Sequence, residues 1–235
     1  MTPTLQKKTL TADALRALPK DKLQQVLKKL SPKQAEDLRY DWRFWARPQQ
    51  LPPEGNQWNV WFINAGRGFG KTRAGVEWVR EQVKLGHKRI AAVASTNSDI
   101  ERVMVKGESG FLNCCFKGDK TYKGQDMGYP EWSPTKRSLT WANGAKVEFY
   151  SAEEPERLRG PQFSAAWCDE TAAWNKDQDT WDMLQFCLRL GKHPRICITT
   201  TPKPTKLIRT ILKGAQGETL RLSSLQVLPS ITLLT

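Results

Sequence analysis

Apolar and polar positions divide the middle of the chain into short runs of two kinds. The run Asn59–Asn64 is β-branched and aromatic, as in a buried strand, and a glycine-rich turn and a predicted helix at about 71–84 follow it. The same pattern predicts strands at Arg89–Ala94, 163–168 and 194–199, and helices near 97–106 and 178–190. Strands that alternate with helices form parallel sheets, so we expect an α/β fold with a mostly parallel sheet flanked by helices.

A hairpin and an irregular region interrupt this alternation. Glycine and proline are frequent up to about residue 137, and no regular element is predicted there. Asn143-Gly144 is a favoured pair for a tight turn between antiparallel strands. The sequence therefore predicts a hairpin around these two residues.

The first 50 residues predict a small helical arm with two helices, at roughly 12–30 and 32–46. Thr11 and Ser31 are suited to be N-caps, and Ser31 begins a capping box with Pro32 at the first helical position. The first helix places its apolar residues on one face: Leu23, Val26, Leu27 and Leu30. The chain is thus predicted to consist of an arm at 1–50, an α/β domain at 51–213 and an atypical tail at 214–235.

Charge narrows the class of partner. The 235 residues include 37 Lys and Arg against 24 Asp and Glu, a formal charge of +13, and the first 50 residues carry 11 basic and 5 acidic side chains. Such a balance in a foldable chain favours a polyanionic partner, first of all nucleic acid. For the arm, a DNA-contacting surface and an ordinary solvated helix face are equally compatible with the sequence.

Other classes of protein are disfavoured. No apolar run approaches the ~18 residues of a membrane span, and the N-terminus lacks the apolar core of a signal peptide, so we expect a cytoplasmic protein without a membrane partner. The five cysteines form no CxxC pair, which disfavours zinc and a disulfide framework. With two histidines, His-based catalysis is disfavoured as well.

A glycine-rich loop between a predicted strand and a predicted helix carries the clearest chemistry. Ala65–Thr72 reads AGRGFGKT, close to the Walker A pattern GxxxxGK[ST], with Ala65 where the strict pattern has glycine. Such loops turn backbone N–H groups towards phosphate, and we expect Lys71 to reach the β- and γ-phosphates and Thr72 to bind Mg²⁺. The expected nucleotide-binding residues of this loop are Gly66, Arg67, Gly68, Phe69, Gly70, Lys71 and Thr72.

Two adjacent carboxylates end a later apolar strand. Asp169 and Glu170 follow the run Phe163–Cys168, as in a Walker B strand. In this interpretation Asp169 binds Mg²⁺, and Glu170, one residue further along, orients the attacking water. An Asp-Glu pair is otherwise a common surface dipeptide, so the upstream loop is what favours catalysis.

Two further groups leave alternatives open. Thr200 and Thr201 follow the strand at 194–199 and could sense the γ-phosphate, although a strand that simply ends at two prolines explains them equally well. Arg157 and Arg159 precede the acidic strand, and arginine stabilises the charge on a transferring phosphoryl group. Surface salt bridges to Glu153, Glu154 or Glu156 are the competing explanation.

Four segments together resemble the large terminase subunit of tailed bacteriophages: WARPQQLPP at 45–53, AGRGFGKTRAGVEWVR at 65–80, SAEEPERLRGPQFSAAWCDE at 151–170 and TTTPKP at 199–204. The resemblance implies a P-loop NTPase fold of the RecA-like (ASCE) kind and an Mg²⁺-dependent ATPase that drives double-stranded DNA into a procapsid. It assigns adenine contacts to Arg47, Pro48 and Gln50, and coupling to Thr199–Pro202. It assigns a trans-acting arginine finger to Arg159, with Arg157 as second choice.

The same resemblance implies partners and a place in the cell. The expected partners are duplex DNA, a terminase small subunit, a portal protein and further copies of the chain in a ring, at the procapsid portal in the host cytoplasm. The sequence departs from the family pattern at its end, because Glu218 is the sole acid at 214–235 and no nuclease is expected. A catalytically unproductive prophage remnant and another RecA-like, helicase-type ATPase are the alternatives.

Overall fold

The computed structural model describes residues 11–55 and 58–216, of which residues 214–216 are described by their backbone alone. The predicted tail, including Glu218, lies mostly outside the described residues. The chain divides into two compact units, Met1–Leu51 and Pro52–Thr235. No helix within the described ranges is long and apolar enough to cross a membrane.

The N-terminal unit contains shorter helices than predicted: α1 (Ala12–Arg16), α2 (Lys20–Lys28), α3 (Pro32–Tyr40), α4 (Trp42–Trp45) and a 3₁₀ turn at Pro48–Gln50. The two predicted helices are each broken once. Pro19 has an extended backbone before α2, and Asp41, also extended, caps α4 with its carboxylate. The predicted caps at Thr11 and Ser31 are confirmed, including the capping box of Ser31.

A small core holds this unit together. Ala12, Leu15 and Phe44 are buried in it, and Leu23 and Val26 of α2 are partly buried against it. The prediction that Leu27 shares their face is wrong, since Leu27 is 49% exposed. At 100° per residue, residues 23 and 26 each lie about 30° from the midline of the inner face, whereas position 27 lies about 70° from it, beyond Leu23.

A seven-stranded sheet forms the larger unit. Its strands are β1 (Val60–Asn64), β2 (Arg89–Ala94), β3 (Glu131–Ser133), β4 (Ser138–Thr140), β5 (Lys146–Ser151), β6 (Ala165–Asp169) and β7 (Arg195–Thr200). The order is β1-β7-β6-β2-β5-β4-β3, in which the first five strands are parallel, β4 is antiparallel to β5, and β3 is antiparallel to β4. The predicted mostly parallel α/β sheet is confirmed, and the turn at Asn143-Gly144 joins β4 to β5.

The helices of this unit are α5 (Lys71–Lys84), α6 (Asn97–Asp99), α7 (Phe111–Cys114), α8 (Asp177–Cys187) and α9 (Lys206–Gln216). α6 continues directly into a π-helical turn at Ile100–Val105, and 3₁₀ turns lie at Pro155–Leu158 and Thr171–Ala173. The predicted start of α5 at residue 71 is confirmed. This start matters because it places a helix N-terminus at the end of the glycine-rich loop.

Close packing fixes α5 on the sheet. A Cβ atom at Gly75 would come within 2.2 Å of the indole of Trp167 in β6, so only glycine allows this approach. Trp167 itself is fully buried. The helix that begins at Lys71 is thereby held against the strand that ends at Asp169.

A buried ionic cluster anchors the other end of α5. Arg80 binds Glu77 at 2.7 Å and also Asp119, and Lys84 binds Asp119 at 2.8 Å. Burial alone would lower the pKa of Arg80, but Glu77 and Asp119 together raise it above its ordinary value. The guanidinium therefore stays charged, and it joins α5 to the loop that contains Asp119.

Candidate active site

The glycine-rich loop leaves β1 at Asn64 and enters α5 at Lys71. Gly68 and Gly70 have φ angles of 76° and 80°, in the left-handed region that favours glycine. Ala65 is not among the described non-glycine residues with a positive φ, and its N–H donates to Thr200 O at 3.1 Å, which extends the pairing of β1 with β7. The departure at Ala65 from the strict loop pattern is thus sterically harmless here.

Lys71 is a buried cation at the centre of the loop. It is 7% exposed, and its Nζ donates to Ala65 O at 3.1 Å and to Gly66 O at 3.2 Å. The same Nζ lies 3.4 Å from Glu170 Oε1. The structure therefore brings together the lysine of the loop and the second acid of the acidic pair, which are 99 residues apart in sequence.

Glu170 occupies an unfavourable backbone conformation. Its φ is 47°, which within the described ranges only Arg137 shares among non-glycine residues. Its Oε2 accepts hydrogen bonds from Thr201 N at 3.1 Å and from Thr201 Oγ1 at 3.2 Å. A left-handed non-glycine residue persists only where its surroundings hold it, and such residues cluster at functional sites.

Asp169 lies at the end of β6 and is 6% exposed. Its Oδ1 accepts from Thr199 Oγ1 at 2.6 Å, and Thr199 Oγ1 accepts from Trp167 Nε1 at 2.8 Å. A hydroxyl has one proton to donate, and the short contact directs that proton to Asp169. Burial raises the pKa of Asp169 to about 7, although the hydrogen bond from Thr199 opposes the rise.

A cavity of about 400 Å³ opens beside the loop. The predicted residues that line it are Arg67, Gly68, Phe69, Gly70, Lys71, Thr72 and Glu170. Residues that sequence reasoning missed complete the wall: Arg73, Arg102, Val103, Gly107, Glu108 and Ser109. The cavity has the size of a small-molecule site and unites the two predicted motifs.

The hydroxyl groups after β7 are placed differently from each other. Thr200 is fully buried, and its Oγ1 accepts from Ala172 N at 3.0 Å, so it binds the 3₁₀ turn and does not line the cavity. Thr201 also lies outside the cavity wall but binds Glu170 directly. This arrangement does not support a direct nucleotide contact by Thr200, and the contact of Thr201 with the site is its pair of hydrogen bonds to Glu170.

The two arginines before β6 form surface ion pairs. Arg157 pairs with Glu154 at 3.4 Å and Arg159 with Glu156 at 2.7 Å. The side chain of Arg159 is 66% exposed, and neither arginine lines the cavity. Exposed pairs of this kind contribute ~0–1 kcal/mol, so they leave both guanidinium groups available to a second molecule.

Arg47 and Gln50 belong to the N-terminal unit. Gln50 is 7% exposed, and its Oε1 accepts from Arg47 N at 3.1 Å across the 3₁₀ turn. Their contact with adenine stays a prediction.

The oxygen-bearing side chains of the site do not form a complete metal site by themselves. Within the described ranges, no three His, Cys, Asp or Glu side chains are grouped so that they could hold an ion. Mg²⁺ is usually bound by one or two carboxylates with substrate phosphates and water, not by a protein-only cage. Thr72 belongs to the cavity wall, whereas Asp169 is 6% exposed and does not line the cavity, so the binding of a nucleotide-bound ion by both residues stays a prediction.

Comparison with known proteins adds two findings. The family model "Terminase large subunit, T4likevirus-type, N-terminal" matches residues 62–224. The ATPase domain of the large terminase of Thermus phage P74-26 is similar in structure, with a TM-score of 0.54, 17% identity and coverage of 80% of this chain and 76% of that one. A variant of that domain matches with a TM-score of 0.50, 18% identity and coverage of 77% and 74%.

These structural likenesses, at low identity, show a shared fold, namely that of a terminase ATPase domain. The family model spans both the glycine-rich loop and the acidic pair. Because it covers well over half of the 235 residues, the chain belongs to the family of terminase large subunits of the T4likevirus type.

Proposed function

We propose that this chain is an Mg²⁺-dependent ATPase whose turnover drives double-stranded DNA into a procapsid. The observation that carries the proposal is the 3.4 Å contact between Lys71 Nζ and Glu170 Oε1 beside the cavity formed by the glycine-rich loop. A phosphate-binding lysine and a carboxylate that can orient water are two of the groups that recur in sites of phosphoryl transfer.

The loop supplies the phosphate site. Backbone N–H groups of residues 66–72 and the N-terminus of α5 favour a polyphosphate, and Lys71 adds a full positive charge. Lys71 is already held by two loop carbonyls and by Glu170. Binding of a triphosphate then exchanges these contacts for phosphate oxygens while the side chain stays in place.

Thr72 and Asp169 would hold the magnesium ion. When bound there, the ion would supply positive charge that offsets the charge of the phosphates. Thr199 and Trp167 keep the Asp169 carboxylate oriented through the hydrogen bonds described above. Asp169 must be deprotonated to be a ligand of Mg²⁺, and the positive charge of a nearby cation favours the deprotonated carboxylate.

Glu170 is the residue for the attacking water. Its carboxylate can accept a proton of that water and align it with the terminal phosphate. Thr201 binds the same carboxylate, so a change at Glu170 is transmitted to the segment that follows β7. We infer that this contact couples hydrolysis to movement of that segment.

The macromolecular partners follow from charge and family. A net charge of +13 suits sequence-independent contacts to DNA phosphates. As a member of the terminase family, the chain would work with a small subunit and a portal protein. It would form a ring with further copies of itself, at the procapsid portal in the cytoplasm of the host cell.

Replacing Lys71 by Ala tests the nucleotide site. We expect ATP affinity in the presence of Mg²⁺, measured by calorimetry, to fall about 10- to 100-fold, because a charge-assisted hydrogen bond contributes about 1.5–3 kcal/mol. Lys192→Ala removes an exposed lysine outside the cavity and should leave the affinity unchanged. Equal affinities of Lys71→Ala and the parent chain would refute the assignment.

A further inference from the structure

A second segment lines the cavity beside the glycine-rich loop. It comprises the π-helical turn Ile100–Val105 and the residues that follow it, and it contributes Arg102, Val103, Gly107, Glu108 and Ser109 to the wall. Lys106 N donates to Glu101 O at 2.9 Å, a bond across five residues that widens the helix. Single π turns inside α-helices are rare and are frequent at functional sites.

The packing of this turn determines which side chains face the cavity. Ile100, Met104 and Val105 are each 2% exposed or less and bind the turn to the core. Arg102 and Val103 lie on the other face, and both are exposed. The direction of Arg102 is therefore set by three buried neighbours on the same turn.

Gly107 packs against the backbone of the π-helical turn that carries Arg102. A Cβ atom there would meet Val103 O at 2.4 Å and Arg102 O at 3.1 Å. Only glycine lets the chain fold back so tightly against the carbonyl groups of the π turn. The backbone that carries Arg102 is thus fixed from two sides, as a binding residue requires.

Arg102 has no salt bridge or hydrogen bond from its side chain within the described residues, whereas two of the other three cations of the wall, Lys71 and Arg73, are already engaged. Lys71 binds loop carbonyls and Glu170, and Arg73 binds Glu77 at 2.7 Å. The cavity wall holds four cationic side chains against the two carboxylates Glu108 and Glu170. This excess of positive charge favours an anion, and Arg102 is free to bind it.

We propose that Arg102 binds the phosphate chain of the nucleotide held by the loop of the same molecule. The proposal rests on the proposed function, since it takes the cavity to be the nucleotide site. A guanidinium group can donate two parallel hydrogen bonds to phosphate oxygens, and its position on a fixed turn limits the entropy lost on binding. Arg102 and Lys71 then contact the nucleotide from two different segments.

The test compares Arg102→Ala with Lys106→Ala. Lys106 lies four residues away, carries the same charge, pairs with Glu101 and does not line the cavity. We expect Arg102→Ala to weaken binding of ATP with Mg²⁺ about tenfold or more by calorimetry, the amount typical of a charge-assisted contact. Lys106→Ala should bind as the parent does, Arg102→Lys should retain part of the affinity, and thermal unfolding of all variants should match the parent.

Two outcomes overturn the proposal. Unchanged affinity in Arg102→Ala shows that this residue does not contact the nucleotide. An equal loss in Arg102→Ala and Lys106→Ala shows only a general effect of surface charge. Lys71→Ala, measured in parallel, separates this proposal from the proposed function. If Lys71→Ala binds ATP more weakly than the parent, the proposed function stands and only the role of Arg102 is refuted. If Lys71→Ala binds ATP with full affinity, both are refuted.

Discussion

Replacement of Glu170 by Gln is expected to lower the rate of ATP hydrolysis by about 10²- to 10⁴-fold, the range that a positioned general base contributes. Binding of ATP should persist or strengthen. The amide has the shape of the carboxylate and can still accept the hydrogen bond from Thr201 N. It no longer attracts the ammonium of Lys71, which is then more available to phosphate.

The measurement pairs steady-state hydrolysis with calorimetric binding on the same preparation. Glu131→Gln is the matched control, because Glu131 is an exposed carboxylate of β3 that does not line the cavity. It should leave both quantities unchanged. Hydrolysis by Glu170→Gln at the parent rate would mean that another group orients the water.

Replacement of Arg159 by Ala is expected to lower hydrolysis about 10³-fold in the assembled state, the effect typical of an arginine supplied by a neighbouring molecule. Arg159 does not line the cavity of its own chain, and its exposed pair with Glu156 restrains it weakly. The specific activity of the parent chain should therefore rise with protein concentration. In Arg159→Ala this rise should disappear.

Mixing two inactive variants tests the trans role directly. Arg159→Ala keeps an intact nucleotide site, and Lys71→Ala keeps an intact Arg159, so the mixture should recover part of the activity that each lacks alone. Arg157→Ala is the comparison, since Arg157 lies two residues away in a similar ion pair with Glu154. Specific activity that is independent of concentration, with no recovery on mixing, would leave Arg159 as a partner of Glu156 only.

Local sequence patterns predicted the elements whose causes are local. The strand, glycine-rich loop and helix around Lys71 follow from β-branched residues, from Gly68 and Gly70 in left-handed conformations, and from a helix start at residue 71. The strand that ends at Asp169 follows from its apolar run. These features depend on residues that are close together in sequence, so they can be predicted from the local sequence pattern.

Contacts between distant residues could not be predicted in this way. The approach of Gly75 to Trp167, the chain Trp167–Thr199–Asp169 and the place of Arg102 in the cavity wall depend on how strands and helices meet in space. The ends of the N-terminal helices were also predicted incompletely from the sequence. The predicted helices at 12–30 and 32–46 continued through Pro19 and Asp41, although proline disfavours a helix interior and aspartate is a favoured N-cap.

We expect the ATPase activity of this chain to depend on DNA, and the rate of Mg²⁺-dependent ATP hydrolysis measured with and without linear duplex DNA decides whether it does. DNA of any sequence should raise the rate, the increase should shrink steeply as salt rises, and Lys71→Ala should show neither basal nor stimulated turnover. A rate that duplex DNA does not change at any salt concentration, or a Lys71→Ala variant as active as the parent chain, would contradict it.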